Sequence, residues 1–487
     1  MKVLQDEQRI TVMEGPWTPV DVIKQVVDEG TQEDPFYVMN LGEVVNRYHR
    51  WKELMPRVEP FYAVKCNDDK VLVSTLAALG AGFDCASKAE IQLITSLGVK
   101  PDRIIFANPA KMASHIRYSA AVGVDLMTFD SEIELLKIKQ HMPHAQLVIR
   151  IRCDAAVAQC PLGIKFGCDP ISEAPRLLKL AAVLGLEVVG VSFHVGSGAA
   201  ETEVYARGIQ WARALFTSAA RAGHRMRLLD LGGGFAGGSH SCLAHVAQVI
   251  NNALETHFPE RSVQVIAEPG RYFAAAAYTL ATMVHAKREV CTITFLCSTI
   301  ILLPLYPGGC ANIPAHPPSG RQCGSAWRNA RWWCGVQPST AAPRPCSVWG
   351  PSCDGLDCVL PSSLLPPLAP GAWLLWRDMG AYTLPVASPF NGFPVPRVLT
   401  VIDAALWAVL KDLWPISEAH FVHGGPIVGP QTPPLSPPSP AACPSPSPSP
   451  SPGHSQPSPS SSPPHSPALA PLDDSHSRLV FVECALK

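Results

Sequence analysis

The chain lacks any charge imbalance: 39 basic residues stand against 40 acidic ones, a net charge of −1. That balance argues against general binding to nucleic acid or to an anionic membrane. No Cys-x-x-Cys occurs among the 16 cysteines, which are scattered through apolar segments. The usual zinc and dithiol signatures are therefore missing, no metal site is expected, and reduced thiols in a cytoplasmic protein are the reading. Met1 to Glu7 carry no apolar run and no cleavage-like site, so no signal peptide is expected. A membrane helix is not expected either. The most apolar stretch, 290–306, is short and meets Pro304, where about twenty residues are wanted.

What the chain does have is apolar residues, 47% of the total in 487, enough for two or three domains with a large core. It also has 49 prolines, unevenly placed. From Gly424 to Pro471 the text is Pro/Ser repeats, which cannot bury a core and predict a disordered or locally polyproline tail. Residues 307–346 mix Pro, Gly, Cys, Arg and Trp with no helical or strand period.

Between these extremes a rhythm runs. Strand-like segments fall at 61–65, 82–86, 104–107, 124–129, 147–153, 188–194, 228–231 and 263–268. Helical segments separate them, among them 71–79 stopped by Gly80, 171–184, 201–222 and 243–257. Capping-box patterns stand at Asn40/Glu43, Ser87/Glu90 and Ser131/Glu134. Eight strands alternating with helices predict a closed parallel (β/α)8 barrel of the TIM type, with an open doubly wound sheet as the alternative. Short strands and turns around 348–383 predict a smaller all-β domain after it.

Barrel chemistry sits where strands end and loops begin. The strand ends here carry Lys65, Asp84, Arg150, His194, Gly232-Gly233-Gly234 and Glu268. A lysine closing a buried strand is either paired or held for chemistry; a solvated lysine is the bland alternative. Three glycines after a strand can turn backbone N–H groups toward an anion, or make only a tight turn. Glu268 and Arg271 can be a plain ion pair, or a partner for a protonated ring nitrogen and a phosphate ligand. An amine, a phosphate cup and a carboxylate for a pyridinium are the parts that pyridoxal phosphate needs.

The stretches PFYAVKCN, GFDCASKAEIQ, VVGVSFHVGSG, LLDLGGGF, AEPGRY, WGPSCDGLD and NGF closely resemble the eukaryotic ornithine decarboxylases, pyridoxal-phosphate enzymes of the alanine-racemase-like barrel class. The resemblance covers 35–290 and 347–395. It implies decarboxylation of L-ornithine to putrescine, the first step of polyamine biosynthesis. Lys65 would form the Schiff base, Glu268 would pair with the ring nitrogen and His194 would stack on the ring. Ser197, Gly234, Arg271 and Tyr382 would hold the phosphate, with Gly232 and Gly233 shaping the loop. Asp84 and Arg150 would orient groups near the lysine. Cys353 would protonate the substrate carbon and Asp354 would bind its distal amine, both from the second subunit of a homodimer. Residues 117–140 match the family's antizyme-binding element, so antizyme is a further implied partner.

The resemblance breaks at 290–346, where the family's Tyr-Asp pair for the substrate amine is not found. That composition suggests another reading of the gene, such as a retained intron, which sequencing the transcript would test. The domain expectation is 1–34 joining the β domain, 35–275 the barrel, 276–415 the β domain with 290–346 anomalous, and 416–487 the low-complexity tail. Two rival functions stay open: a non-catalytic antizyme inhibitor, and a decarboxylase of arginine, lysine or diaminopimelate.

Overall fold

A computed structural model of the protein describes residues 9–290 apart from 157, 161 and 200, then 293–298, 332–334 and 342–423. Most of the anomalous 290–346 stretch, the Pro/Ser-rich tail from 424 and the strand-like residues 479–482 lie outside the described residues.

Eight parallel strands close into a barrel: β1 (Val58–Ala63), β2 (Gly82–Cys85), β3 (Ile104–Phe106), β4 (Leu126–Phe129), β5 (Gln146–Arg152), β6 (Glu187–His194), β7 (Leu228–Asp230) and β8 (Gln264–Ala267). Closure is made by β8 on β1, with Val265 beside Val58 and Ala267 beside Pro60. An open sheet is thereby excluded. The interior is plugged by Phe61, Ile105, Val148, Val189, Leu228 and Ile266, an apolar cluster drawn from six of the eight strands. Gly82 is glycine because the Phe61 ring fills the space a side chain would need; a Cβ there would lie 2.7 Å from it. With the floor apolar and filled, only the mouth of the barrel is left for polar groups.

The helices between the strands start and stop on identifiable signals. Asp69 Oδ1 accepts the Val71 and Leu72 N–H groups at 2.8 and 3.2 Å and opens helix Lys70–Leu79. Gly80, in the left-handed region at φ 99°, ends it. Ser87 caps helix Lys88–Ser96, accepting from the Glu90 N–H at 3.3 Å. None of the three expected capping boxes closes: at Ser87 the Glu90 carboxylate takes the Ala86 N–H and does not return to the cap. The Asn40 and Ser131 side chains make no cap bond. Their distant partners are claimed elsewhere, Glu43 by Arg47 at 2.6 Å and Glu134 by the buried Lys111 ammonium at 2.9 Å. A charge-assisted bond outweighs a neutral cap bond. A capping box does form at Thr18 and Asp21, opening helix Pro19–Asp28.

The second element is a ten-stranded mixed sheet. Its long strand Tyr278–Val290 pairs antiparallel with Phe36–Asn40, with Ile293–Ser298 and with Trp373–Trp376. Ile10–Met13 joins it alongside Arg397–Asp403. Phe36–Asn40 thus belongs to the sheet and not to the barrel range 35–275. Phe36 and Val38 are buried in the sheet's own core, with the Phe36 ring edge-on to Trp373 at 5.6 Å. Among the described residues no helix is long and apolar enough to cross a membrane.

Candidate active site

The sheet touches the barrel at its mouth. The Tyr382 N–H donates to Cys66 O at 2.9 Å, and Asn67 Nδ2 donates to Gly380 O at 2.9 Å. These bonds frame an open cleft of about 290 Å³ whose lining includes Lys65, His194, Ser197, Gly233, Gly234, Glu268, Arg271 and Tyr382. Asp84, bonded to Lys65, and Gly232, whose O accepts the Glu268 N–H, stand behind this lining, and the Arg150 charge acts on His194 and Glu268.

Lys65 does not end β1. The chain turns first, in the 3-10 turn Val64–Cys66, which buries Val64 and Cys66 and sends Lys65 into the cleft. Its ammonium is hydrogen-bonded to Asp84 Oδ2, on a carboxylate with no solvent exposure, while the lysine side chain stays 37% exposed. Burial alone would lower the lysine, but the Asp84 and Glu268 carboxylates outweigh it and hold the amine protonated well above its ordinary range. Asp84 Oδ1 is buried and takes no hydrogen bond. A cation pinned this way needs an incoming group to displace Asp84 before its nitrogen can act as a nucleophile.

His194 ends β6. Its Nδ1 accepts the Gly196 N–H at 3.0 Å. Burial, then the Arg150 and Lys65 cations, push the imidazole well below its ordinary value. It is therefore neutral, with its proton on Nε2. Nε2 faces the glycine loop: a Cβ on Gly233 would lie 2.7 Å from it and 2.9 Å from Glu268 O. Gly234, at φ 110°, has no room for a side chain against Val195 and Tyr205. The Tyr205 hydroxyl donates to Gly233 O at 3.1 Å and fixes the loop.

Across the cleft, Arg271 Nε donates to Ser197 Oγ at 2.8 Å, and its guanidinium lies 4.7 Å from the Tyr382 ring centre. Arg271 thus turns to Ser197 and Tyr382 and not to Glu268. Tyr382 itself sits at φ 56°, an unfavourable region for a tyrosine, held there by its bond to Cys66 O. Glu268 follows β8 and is 5% exposed. Burial, then the Asp230 and Asp84 carboxylates, raise its carboxyl well above the ordinary range. Arg150 lies on β5 with its guanidinium 5.4 Å from the Phe166 ring centre.

The structure does not bring Cys353 and Asp354 to this cleft. Cys353 is exposed; its N–H and its thiol both donate to Asn391 Oδ1, at 3.2 and 3.4 Å. Asp354 Oδ1 accepts the Leu356 N–H at 2.9 Å. The sequence reading assigned no role to Asp230, Tyr205 or Asn391, and to Glu90 only that of a helix cap. The signal for Asp230 was present, since an aspartate inside the apolar Leu228–Leu231 run is costly to bury without a purpose.

Glu90 lies beside the Lys65–Asp84 pair and accepts the Ala86 N–H at 2.8 Å. Burial raises its carboxyl from 4.5 to about 7, against the Ala86 bond and the Lys65 charge, which lower it. A carboxyl whose proton is held more tightly in the folded state loses stability as pH rises from the unfolded value through the folded one. Glu90→Gln, which keeps the Ala86 contact, is expected to raise folding stability by about 3 kcal/mol at pH 8 and by almost nothing at pH 4. Urea unfolding at the two pH values measures this.

A family model described as "Pyridoxal-dependent decarboxylase, pyridoxal binding domain" matches residues 41–275, and "Pyridoxal-dependent decarboxylase, C-terminal sheet domain" matches 322–380. The chain is 40% identical over 428 residues to ornithine decarboxylase of Mus musculus, covering 84% of this chain and 90% of the relative. It is equally 40% identical, over 436 residues, to antizyme inhibitor 2 of Xenopus laevis, with the same shares of 84% and 90%. Among solved structures, the arginine decarboxylase of Paramecium bursaria Chlorella virus bound to agmatine superposes with a TM-score of 0.70 at 34% identity. That match covers 79% of this chain and 100% of the viral one.

Proposed function

Because the chain belongs to the pyridoxal-dependent decarboxylases, with pyridoxal phosphate as cofactor, we propose that it converts L-ornithine to putrescine, the opening step of polyamine synthesis. The residues of the cleft fit that cofactor. A phosphate needs a wall without side chains and a guanidinium opposite; Gly233, Gly234 and Arg271 supply them. A ring nitrogen needs a buried carboxyl without a basic partner; Glu268 Oε1 is buried and accepts no hydrogen bond. An aldehyde needs an amine, and Lys65 is the lysine of the cleft.

In this reading Lys65 holds the cofactor through its amine, Ser197, Arg271, Tyr382 and the glycine loop hold its phosphate, and Glu268 holds its ring nitrogen. The chemistry that bound pyridoxal phosphate supplies is an electron sink for the pair left on Cα when carbon dioxide departs. Neutral His194 can lie against an aromatic ring without repelling a cation there. Asp84 and Arg150 keep Lys65 and its surroundings in register. The Cys353 thiol carries the proton for Cα, and Asp354 faces the distal ammonium, which needs a carboxylate once buried.

The observation that carries the reading is the meeting, in one cleft, of the Lys65 amine, a side-chain-free loop and the buried Glu268 carboxyl. Release of labelled carbon dioxide from carboxyl-labelled ornithine, with putrescine as product, tests it. Arginine and lysine run alongside; a faster turnover of either would reassign the substrate.

We further propose a homodimer in which Cys353 and Asp354 serve the cleft of the partner subunit. It is supported by Cys353 lying exposed outside the cleft of its own chain, with Leu356 58% and Phe390 40% exposed. Antizyme is a proposed partner as well, through Ile133 and Leu136 on helix Glu132–His141, which are 76% and 49% exposed. A regulatory, non-catalytic role like that named for the Xenopus relative is the second reading. A purified protein with no visible absorption band removable by borohydride would favour it.

Gly233→Ala tests the phosphate wall. The added methyl meets His194 Nε2 and Glu268 O at under 3 Å. Overpacking of this kind costs about 1–3 kcal/mol, or roughly 5- to 150-fold in the cofactor's dissociation constant. Fluorescence titration of cofactor-free protein with pyridoxal phosphate reads that loss.

A further inference from the structure

Asp230 is fully buried at the end of β7, between β6 and β8, and the cleft does not expose it. Its Oδ1 accepts the Gly232 N–H at 2.9 Å. Gly232 is the hinge of the glycine loop: at φ 61°, a Cβ there would lie 2.0 Å from Phe193 O. Gly232 O in turn accepts the Glu268 N–H at 2.7 Å. The Asp230 and Glu268 carboxyl groups act directly on each other. Asp230 Oδ2 and Glu268 Oε1 are both buried and take no N–H donor. Two carboxyl groups can bond each other only if one of them carries a proton.

We propose that Asp230 is a positioning residue that shares one proton with Glu268 before the cofactor binds and locks the Glu268 carboxyl and the glycine loop into one register, so that the ring-nitrogen and phosphate contacts are set together. The proposal rests on the reading of Glu268 as the partner of the ring nitrogen.

The surroundings agree. Facing Glu268 are Asp230 and Asp84, with the Lys65 and Arg150 cations beyond. Facing Asp230 are Glu268, Asp84 and the Ser192 side chain. Burial raises Asp230 to about 6, against Glu268 and the Gly232 bond, which lower it. A buried pair of like charges cannot both ionise, and one proton bridging them is the economical state. The ring nitrogen arriving against Glu268 would take up that proton, leaving both carboxyls ionised with the new cation between them and the cleft.

Infrared difference spectroscopy of cofactor-free protein, before and after addition of pyridoxal phosphate, decides this. The parent is expected to lose a protonated-carboxyl C=O band on binding. In Asp230→Asn the amide donates to an ionised Glu268, and the difference band is expected to be absent. In Asp230→Leu, Glu268 loses its partner, and pyridoxal phosphate binding is expected to weaken roughly 10- to 100-fold, with Asp230→Asn recovering part of it. A parent spectrum without the band, a band that survives in Asp230→Asn, or parental affinity in Asp230→Leu overturns the positioning role. Should Asp230→Leu not fold, the parent and Asp230→Asn spectra decide alone. If the parent binds no pyridoxal phosphate at all, the reading of the cleft itself fails, and the positioning role with it. Binding with a silent carboxyl band overturns only the inference about Asp230.

Discussion

Replacing Lys65 with alanine is expected to lower turnover of ornithine by at least ~10³-fold and to abolish the borohydride-sensitive absorption of the protein. The amine is the lysine of the cleft, and among the described residues no second amine lines it to take over. The substitution also strips the buried Asp84 of its cation, at a cost of about 1–3 kcal/mol. Stability and chemistry can be told apart. The Lys65→Ala, Asp84→Asn double variant removes the stranded carboxylate, so its unfolding midpoint should recover toward that of the parent while turnover stays lost. Parental turnover in Lys65→Ala would sink the assignment of the cleft.

The second large effect concerns the exposed thiol. Cys353→Ala alone is expected to lower the rate of product formation by about 10²-fold, the usual weight of a proton donor. Mixing Cys353→Ala subunits with Lys65→Ala subunits should bring activity back. If each cleft takes its lysine from one subunit and its thiol from the other, random exchange makes about half the dimers mixed, and each mixed dimer has one intact site of two. Recovery of about a quarter of parental activity follows. A mixture no more active than its two components would place Cys353 outside any shared site, and the contact of its thiol with Asn391 would then be structural.

Much of the architecture was legible along the chain because it rests on local regularities. Buried parallel strands are short apolar runs, and each of the eight expected segments overlaps a barrel strand; Glu187–His194 differs from its expected range by one residue. Helix stops such as Gly80 are equally local. The failures have one physical form. Asn40 and Ser131 were paired with Glu43 and Glu134 by spacing, yet those carboxylates went to Arg47 and Lys111, a competition that spacing cannot express. Phe36–Asn40 fell inside the range 35–275 expected for the barrel but lies in the sheet, since its neighbour Tyr278–Val290 is far along the chain.

The site divides along the same line. By itself the sequence determined the strand order, the residue types at the strand tips and the family, because each depends on residues near one another or on motifs in series. Only the tertiary structure decided that the barrel closes, that Lys65 rests on Asp84, that Arg271 turns to Ser197, that Asp230 backs Glu268, and that Cys353 stays outside the cleft of its own chain. These are contacts between segments remote in sequence, chosen by burial and charge once the strands stand side by side.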